Sequence, residues 1–216
     1  MNAWKWIPNA LTLGNLLGGV VVCWAAASGS FLGEALVAGW TDNMVFWLQE
    51  GWPGGAEARG VQMVALVWAL AMFCDVLDGW AARKLGMAGP MGVQLDSLAD
   101  VVTGGVAPAI VAMRLFQDHG GPAVNGEMVA CLGVAAAAAY RLARYNVAAE
   151  AGKGGPYFEG LPAPAAGVFW MGIMLAWGEL KGGFGVLLPM GLAWIGLVVV
   201  PLAMVSRRKM WGLKEW

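Results

Sequence analysis

Six long apolar runs constrain the fold of this chain more than any other feature of its sequence. Each approaches the roughly 20 residues that a helix needs to cross a bilayer, and the runs cover about 8–29, 62–84, 96–116, 127–148, 162–180 and 184–205. Of the 216 residues, 59% are hydrophobic and 12% are charged, which is more apolar surface than a soluble domain of this size could bury. The sequence therefore predicts an all-α membrane protein with six transmembrane helices, in which residues 1–216 form a single domain.

Residues 30–58 form the one long connection between the predicted spans. Three tryptophans stand there among acidic residues, a mixture that favours a segment lying in the membrane interface over a seventh span. We therefore expect an interfacial helix between helices 1 and 2. The first apolar run has no small-residue cleavage site followed by a polar mature domain, so we expect it to be retained as a helix.

The basic residues are distributed unevenly between the two sides of the predicted bundle. With a cytoplasmic N-terminus, three of them fall outside, and ten lie on or near the inner side: Lys5, Arg83, Lys84, Arg141, Arg144, Lys153, Arg207, Arg208, Lys209 and Lys214. This bias predicts an N-in, C-in topology, with the bacterial inner membrane as the expected location. The net charge of −1 argues against a nucleic-acid partner.

Four aspartates lie at the predicted inner ends of spans two and three. They form two pairs, each of which shares one helical face by its spacing: Asp75 with Asp78, and Asp96 with Asp100. A short loop that contains Pro90 would let a helical hairpin bring the two pairs together. Carboxylates in apolar helices are costly unless a cation neutralises them, so the set predicts a site for two divalent metal ions.

The nature of the predicted metal follows from the residues that share the cluster. Carboxylate oxygens suit Mg²⁺ or Mn²⁺ better than zinc, because no histidine or cysteine stands among them. The sole histidine, His119, is expected in an outer loop. Because all four carboxylates lie toward one side of the membrane, they should be reachable from the cytoplasm.

Three further residues fall on or beside the carboxylate face of the second span. Gly79 and Ala82 are small, and they leave room for a flat or phosphorylated group to lie against the helix. Arg83 follows directly, and its guanidinium can donate two hydrogen bonds to one phosphate. Metal ions, an arginine and a spare carboxylate that takes a proton are the parts of a phosphoryl-type transfer.

Other interpretations of the aspartates stay open at this point. A single aspartate in a membrane helix often forms a hydrogen bond between helices, and an acidic row can be an ion path. A divalent-cation transporter is therefore the alternative from a different functional class. It predicts carboxylates spread through the depth of the membrane, and it leaves Gly79, Ala82 and Arg83 without a role.

Residues 75–100 resemble, at every position, the signature of the CDP-alcohol phosphatidyltransferase family: DxxDGxxAR, eight residues, G, three residues, D, three residues, D. The resemblance implies a homodimeric membrane enzyme with a cytosol-facing site, which transfers the phosphatidyl group of a CDP-lipid to an alcohol and releases CMP. It implies that Asp75, Asp78, Asp96 and Asp100 bind metal and that Asp100 is also the general base. Gly79 and Ala82 would accommodate the cytidine nucleotide, and Arg83 would help to hold the substrate.

Three shorter stretches resemble integral-membrane phosphatidylserine synthases and favour L-serine as the acceptor. They are PNALT with Asn15 at 8–15, RLARYN at 141–146 and FEGLPAP at 158–164. Arg141 or Arg144 would bind the serine carboxylate, and Asn146 or Glu159 its ammonium group. The expected donor is CDP-diacylglycerol, and Thr12 and Asn15 would reach its nucleotide. Glycerol 3-phosphate or inositol phosphate is the alternative acceptor, although the chain offers few basic residues for a second phosphate.

Overall fold

The computed structural model describes residues 6–28, 56–86, 89–118, 126–150, 157–180 and 187–211. Six spans in this part of the chain are helical and are long and apolar enough to cross a membrane. The predicted interfacial helix falls almost wholly on residues outside these ranges, as does His119. The prediction of six membrane helices is confirmed by length and composition.

The helices follow the predicted runs closely, with the largest differences at two N-terminal ends. Helix α2 begins six residues earlier than predicted. The third span begins at Pro90 rather than near 96, and proline is well suited to the first turn of a helix because its missing N–H would have no partner there. The helices are α1 (Ile7–Ala27), α2 (Ala56–Lys84), α3 (Pro90–Val101), a π-helix (Val102–Val106), α4 (Ala107–Asp118), α5 (Gly126–Glu150), α6 (Ala163–Leu180) and α7 (Leu187–Val205).

The π-helix lies at the centre of the bundle. Its residues Thr103, Gly104 and Gly105 are buried, and it packs against α1, α5 and α6. A Cβ placed on Gly104 would lie 3.0 Å from the Cβ of Ala163, and one on Gly105 would lie 2.8 Å from the Cβ of Ala138. The two glycines therefore let two neighbouring helices approach the backbone of the third span.

Helix α1 lies along α2 and also contacts α3 and the π-helix. The approach to α2 is close, since a Cβ on Gly18 would lie 2.6 Å from that of Ala71. The main core contains the buried side chains of Trp68, Leu115 and Trp170. Large apolar side chains such as Leu17, Phe73, Val198 and Leu202 are exposed on the outside of the bundle, as expected for helices that lie in lipid.

A two-stranded antiparallel ribbon departs from the all-α prediction. Strand β1 (Tyr157–Glu159) pairs with β2 (Lys209–Trp211) in the register Tyr157↔Trp211, Phe158↔Met210 and Glu159↔Lys209. Each strand has three residues, which is too short for a period-two pattern to stand out in the sequence. The prediction is therefore correct for the spans but omits this ribbon, which joins the segment before α6 to the segment after α7.

Candidate active site

Helices α2 and α3 place four carboxylates together at one end of the bundle. Carboxylate oxygens of Asp75, Asp78 and Asp96 all lie within 4.8 Å of one another. Asp78 is buried, whereas Asp75 and Asp96 are half-buried. Asp100 stands beside this group rather than in it, and its carboxyl group contacts that of Asp75. The hairpin thus brings together the side chains of all four aspartates, as their spacing predicts.

The three converging carboxylates fit a divalent cation. They offer only oxygen ligands, which is the donor type that Mg²⁺ and Mn²⁺ prefer. The Oδ2 atom of Asp78 is buried and has no hydrogen-bond partner among the described residues. Several negative charges at this depth would repel one another strongly without a neutralising ion. These residues could therefore hold a metal, and their ligand roles stay a prediction.

Helix α1 forms one wall of the site. Asn15 is fully buried, and its Nδ2 donates a hydrogen bond to Asp75 Oδ1 at 3.1 Å. Thr12 is buried against Asp78, and its hydroxyl donates to the carbonyl oxygen of Pro8 at 3.0 Å. Both residues, predicted to reach a nucleotide, thus lie against the carboxylates themselves.

The small residues of α2 lie next to the carboxylates, at the end of the helix. Gly79 and Ala82 are half-buried, and Arg83 is exposed. A Cβ on Gly79 would lie 3.4 Å from Arg83 Nη1, so the arginine folds back toward the glycine one turn earlier. The guanidinium and the space above Gly79 are therefore adjacent.

Arg141 and Arg144 of α5 differ sharply in their surroundings. Arg141 is only 7% exposed, its Nε is buried and lacks a hydrogen-bond partner within the ranges that the structure describes, and its charge faces Asp100. Arg144 instead donates to the carbonyl oxygens of Val205 at 2.8 Å, Ser206 at 3.0 Å and Glu159 at 3.1 Å.

The remaining predicted acceptor residues also have partners in the protein. The carboxylate of Glu159 lies 3.7 Å from Arg144 Nε and is exposed. Asn146 donates from Nδ2 to the hydroxyl of Ser97 at 2.9 Å, which joins α5 to α3 one residue after Asp96. Arg141 has a charge interaction with Asp100, and acceptor binding by all four residues stays a prediction.

Two residues near the site escaped the sequence analysis. The Trp68 indole donates to the carbonyl oxygen of Thr103 at 2.9 Å, and the Thr103 hydroxyl donates to the carbonyl oxygen of Asn15 at 3.2 Å. The sequence signal was a polar residue followed by two glycines, three residues after Asp100, within an otherwise apolar run. In the structure this interruption forms the π-helix, and short π-helices within α-helices are frequent at functional sites.

Comparison with known proteins gives the site its context. The chain is 37% identical over 103 residues to the CDP-diacylglycerol–serine O-phosphatidyltransferase of Methanocaldococcus jannaschii, an alignment that covers 48% of this chain and 46% of that protein. It is 41% identical over 112 residues to the protein of that name from Saccharomyces cerevisiae, with 48% and 38% covered. It is 39% identical over 103 residues to the protein of that name from Bacillus subtilis, an alignment that covers 45% of this chain and 51% of that protein.

The alignments with these relatives therefore span about half of their length or less. A broader match comes from the sequence model of the CDP-alcohol phosphatidyltransferase family, which covers residues 5–203. That range includes all four aspartates, five complete membrane spans and all but the last two residues of the sixth. On this match, together with the complete signature at residues 75–100, the protein belongs to the CDP-alcohol phosphatidyltransferase family.

Proposed function

We propose that this protein transfers the phosphatidyl group of CDP-diacylglycerol to the hydroxyl of L-serine, which gives phosphatidylserine and CMP. The observation that carries the proposal is the convergence of Asp75, Asp78 and Asp96 within 4.8 Å, in a chain whose family transfers such groups. The choice of serine is supported by the names of the relatives, which specify it.

In this proposal Asp75, Asp78, Asp96 and Asp100 hold two divalent metal ions, Mg²⁺ or Mn²⁺. When bound, the metals supply positive charge that stabilises the negative charge developing on the pyrophosphate. The protein contributes the position of the ligands, which come from two rigid helices.

The CDP-lipid would lie over the end of α2. Gly79 and Ala82 leave space beside the carboxylates, and the exposed guanidinium of Arg83 can donate two parallel hydrogen bonds to a phosphate. Thr12 and Asn15 close the site from the side of α1. An arginine is well suited here, because its planar fork matches phosphate geometry better than a lysine ammonium does.

Asp100 is the proposed general base. It accepts the proton of the serine hydroxyl while the serine oxygen forms a bond to the phosphorus that carries diacylglycerol. The bond from that phosphorus to the bridging oxygen breaks, and CMP leaves with this oxygen and its electron pair. We expect a direct transfer, because among the described residues the group of converging carboxylates contains no histidine or cysteine that could act as a covalent nucleophile.

Arg141 is the proposed partner of the serine carboxylate. Its charge faces Asp100, so a serine held by Arg141 would present its hydroxyl near the base. Burial of the guanidinium favours a charged partner over water, because an unpaired buried charge is costly. Contacts of Arg144, Asn146 and Glu159 with serine are also part of the proposal.

The proposed topology is N-in and C-in, with the site facing the cytoplasm of a bacterial inner membrane. It is supported by the basic residues at the site's end of the bundle, where Arg83, Lys84, Arg207 and Arg208 are exposed. The Lys84 ammonium lies 4.5 Å from the centre of the Trp80 ring, a combination typical of a membrane interface. A homodimer is proposed from the family resemblance, and a single domain over residues 1–216 is proposed from the apolar spans that run along the chain.

The proposal is tested by CMP release from the detergent-purified protein supplied with CDP-diacylglycerol and Mg²⁺ or Mn²⁺. Serine, glycerol 3-phosphate, inositol phosphate and no acceptor are compared, with Asp75→Asn as the inactive control. We expect release that needs both metal and serine. Release with only another alcohol would overturn the acceptor. Metal flux into proteoliposomes without CDP-lipid, together with no CMP release, would favour the transporter.

A further inference from the structure

Three polar contacts connect the core of the bundle to one of the carboxylates. The Trp68 indole N–H donates to the Thr103 carbonyl, the Thr103 hydroxyl donates to the Asn15 carbonyl, and the Asn15 amide donates to Asp75 Oδ1. The three distances are 2.9, 3.2 and 3.1 Å. Trp68, Thr103 and Asn15 are all buried, so water does not compete for the first two bonds, whereas the third ends on the half-buried Asp75.

The contacts form a closed circuit. Trp68 and Asp75 are seven residues apart on α2, which places them on the same face two turns from each other. The path between them leaves α2, passes through the π-helix and α1, and returns to α2 at the carboxylate. At Thr103 and Asn15 the backbone carbonyl accepts one hydrogen bond and the side chain donates the next. The hydrogen bonds are therefore not continuous, so the circuit can fix positions but cannot conduct protons.

Gly19 of α1 leaves the space that this circuit needs. A Cβ on Gly19 would lie 2.6 Å from Thr103 Oγ1 and 3.2 Å from Thr103 Cα. Gly19 is one turn after Asn15, so its missing side chain is what allows the Thr103 hydroxyl to reach the Asn15 carbonyl. The approach of the π-helix to α1 is therefore built into the sequence of both elements.

We propose that Trp68, Thr103 and Asn15 are positioning residues that fix the Asp75 carboxylate for metal binding, acting in that order from the core to the ligand. The inference rests on the proposed function, since it takes Asp75 as a metal ligand. The π-helix also directly follows α3, which carries Asp96 and Asp100. The π-helix therefore helps to position carboxylates on both helices. It continues directly from α3, and it is connected to Asp75 of α2 through Asn15.

The test measures Mn²⁺ binding to the purified protein without substrate, by the electron paramagnetic resonance signal of free Mn²⁺. Thr103→Val removes the hydroxyl at nearly constant shape, and we expect Mn²⁺ affinity to fall, by less than the roughly 10-fold or more that is typical when the direct partner of a metal ligand is lost. Thr103→Ser keeps the hydroxyl and should stay close to wild type. Asn15→Leu should weaken binding at least as much as Thr103→Val.

A matched pair of tryptophan variants separates positioning from packing. Trp68→Phe removes the indole N–H at the start of the circuit, whereas Trp170→Phe removes an equally buried indole whose Nε1 has no hydrogen-bond partner in the described part of the chain. Both should lower the thermal unfolding midpoint, but only Trp68→Phe should weaken Mn²⁺ binding. Equal weakening in both variants would show a general packing effect and overturn the inference.

The remaining outcomes distinguish this inference from the proposed function. If Asp75→Asn abolishes Mn²⁺ binding while Thr103→Val and Asn15→Leu bind like wild type, the positioning role is wrong and the metal site stands. If the wild-type protein does not bind Mn²⁺, the metal site and the positioning role both fall. A cooperative thermal unfolding transition without metal, measured on the same samples, checks that each variant is folded, and its rise on addition of Mn²⁺ gives a second readout of binding.

Discussion

At the scale of single residues, the position of Asp100 separates it from the other three aspartates. It contacts Asp75 but lies outside the group of three whose oxygens converge. A carboxylate at the edge of a metal group keeps an oxygen available for a substrate proton. The geometry is therefore consistent with a base that contributes less to metal affinity than its neighbours do.

Asp100→Asn tests this division of roles. We expect CMP release to fall by about 10²–10⁴-fold, the range by which general acid–base catalysis contributes to rates, because an amide cannot take the serine proton. Mn²⁺ binding should be weakened less than in Asp75→Asn, with both variants measured in the same titration. A wild-type rate of CMP release would contradict the assignment of the base.

Arg141→Lys tests the proposed carboxylate partner. A lysine keeps the charge but loses the planar fork, and a hydrogen bond between charged groups contributes roughly 1.5–3 kcal/mol. The KM for serine should therefore rise by about 10-fold or more, and the preference for serine over ethanolamine, which lacks the carboxylate, should narrow.

Arg144→Lys is the matched control for this prediction. Its guanidinium donates to the carbonyl oxygens of Val205, Ser206 and Glu159, so the main effect should be a lower thermal unfolding midpoint, with a smaller rise in the KM for serine than Arg141→Lys causes. If Arg144→Lys alone changed the preference between serine and ethanolamine, the two arginines would have to exchange their proposed roles.

At the scale of elements, close approaches between helices are made by particular glycines. Gly14 and Gly18 lie one turn apart on α1, yet a Cβ on Gly14 would make an ordinary contact of 3.8 Å with Cys74 Sγ, whereas one on Gly18 would lie 2.6 Å from the Cβ of Ala71. Helices pack in lipid without a hydrophobic driving force, so this contact depends on small side chains.

The two positions give a prediction with an internal control. Gly18→Ala should lower the free energy of unfolding by about 1–3 kcal/mol, the usual cost of overpacking a close contact. Gly14→Ala should leave it unchanged or raise it slightly, because alanine is favoured over glycine in helices by about 1 kcal/mol. Unfolding of both variants in mixed detergent micelles measures the difference, and equal stability would contradict the tight crossing.

The sequence predicted the elements better than their connections. Apolar runs define where a chain can cross lipid, and the spacing of Asp75, Asp78, Asp96 and Asp100 defines which faces meet, so both followed from local patterns. The β1–β2 ribbon joins segments about 50 residues apart in sequence, and its three-residue strands carry no period. The π-helix and the hydrogen bonds of Arg144 depend on contacts with neighbouring helices, and such contacts cannot be predicted from a local sequence pattern.

At the scale of the whole molecule, the two ends of the bundle are chemically distinct. At one end the aspartates lie near Arg141, and Arg144 ties the end of α5 to the end of α7. At the other end Gln62 donates to Glu179 at 2.6 Å, which joins the start of α2 to the end of α6. Each of these contacts joins two helix ends that lie on the same side of the bundle.

Cysteine labelling in intact cells tests the orientation. Ser28 and Arg208 are exposed at opposite ends of the bundle, whereas Cys23, Cys74 and Cys131 lie within the spans. With the N-in, C-in topology, a membrane-impermeant maleimide should label Ser28→Cys from outside and Arg208→Cys only after permeabilisation. The reverse pattern would place the site on the outer side of the membrane.

The π-helix has a consequence for how this protein can tolerate insertions and deletions. A π-helix of five residues accommodates one residue more than an α-helix of the same span, so deletion of Gly104 would allow a continuous α-helix. Each residue of an α-helix turns the chain by about 100°, so the deletion would rotate Asp96 and Asp100 away from Asp75 by that angle relative to α4. The shorter chain would then have a more regular helix, but its carboxylates would no longer converge. The length of this span is therefore as constrained as the identity of its aspartates.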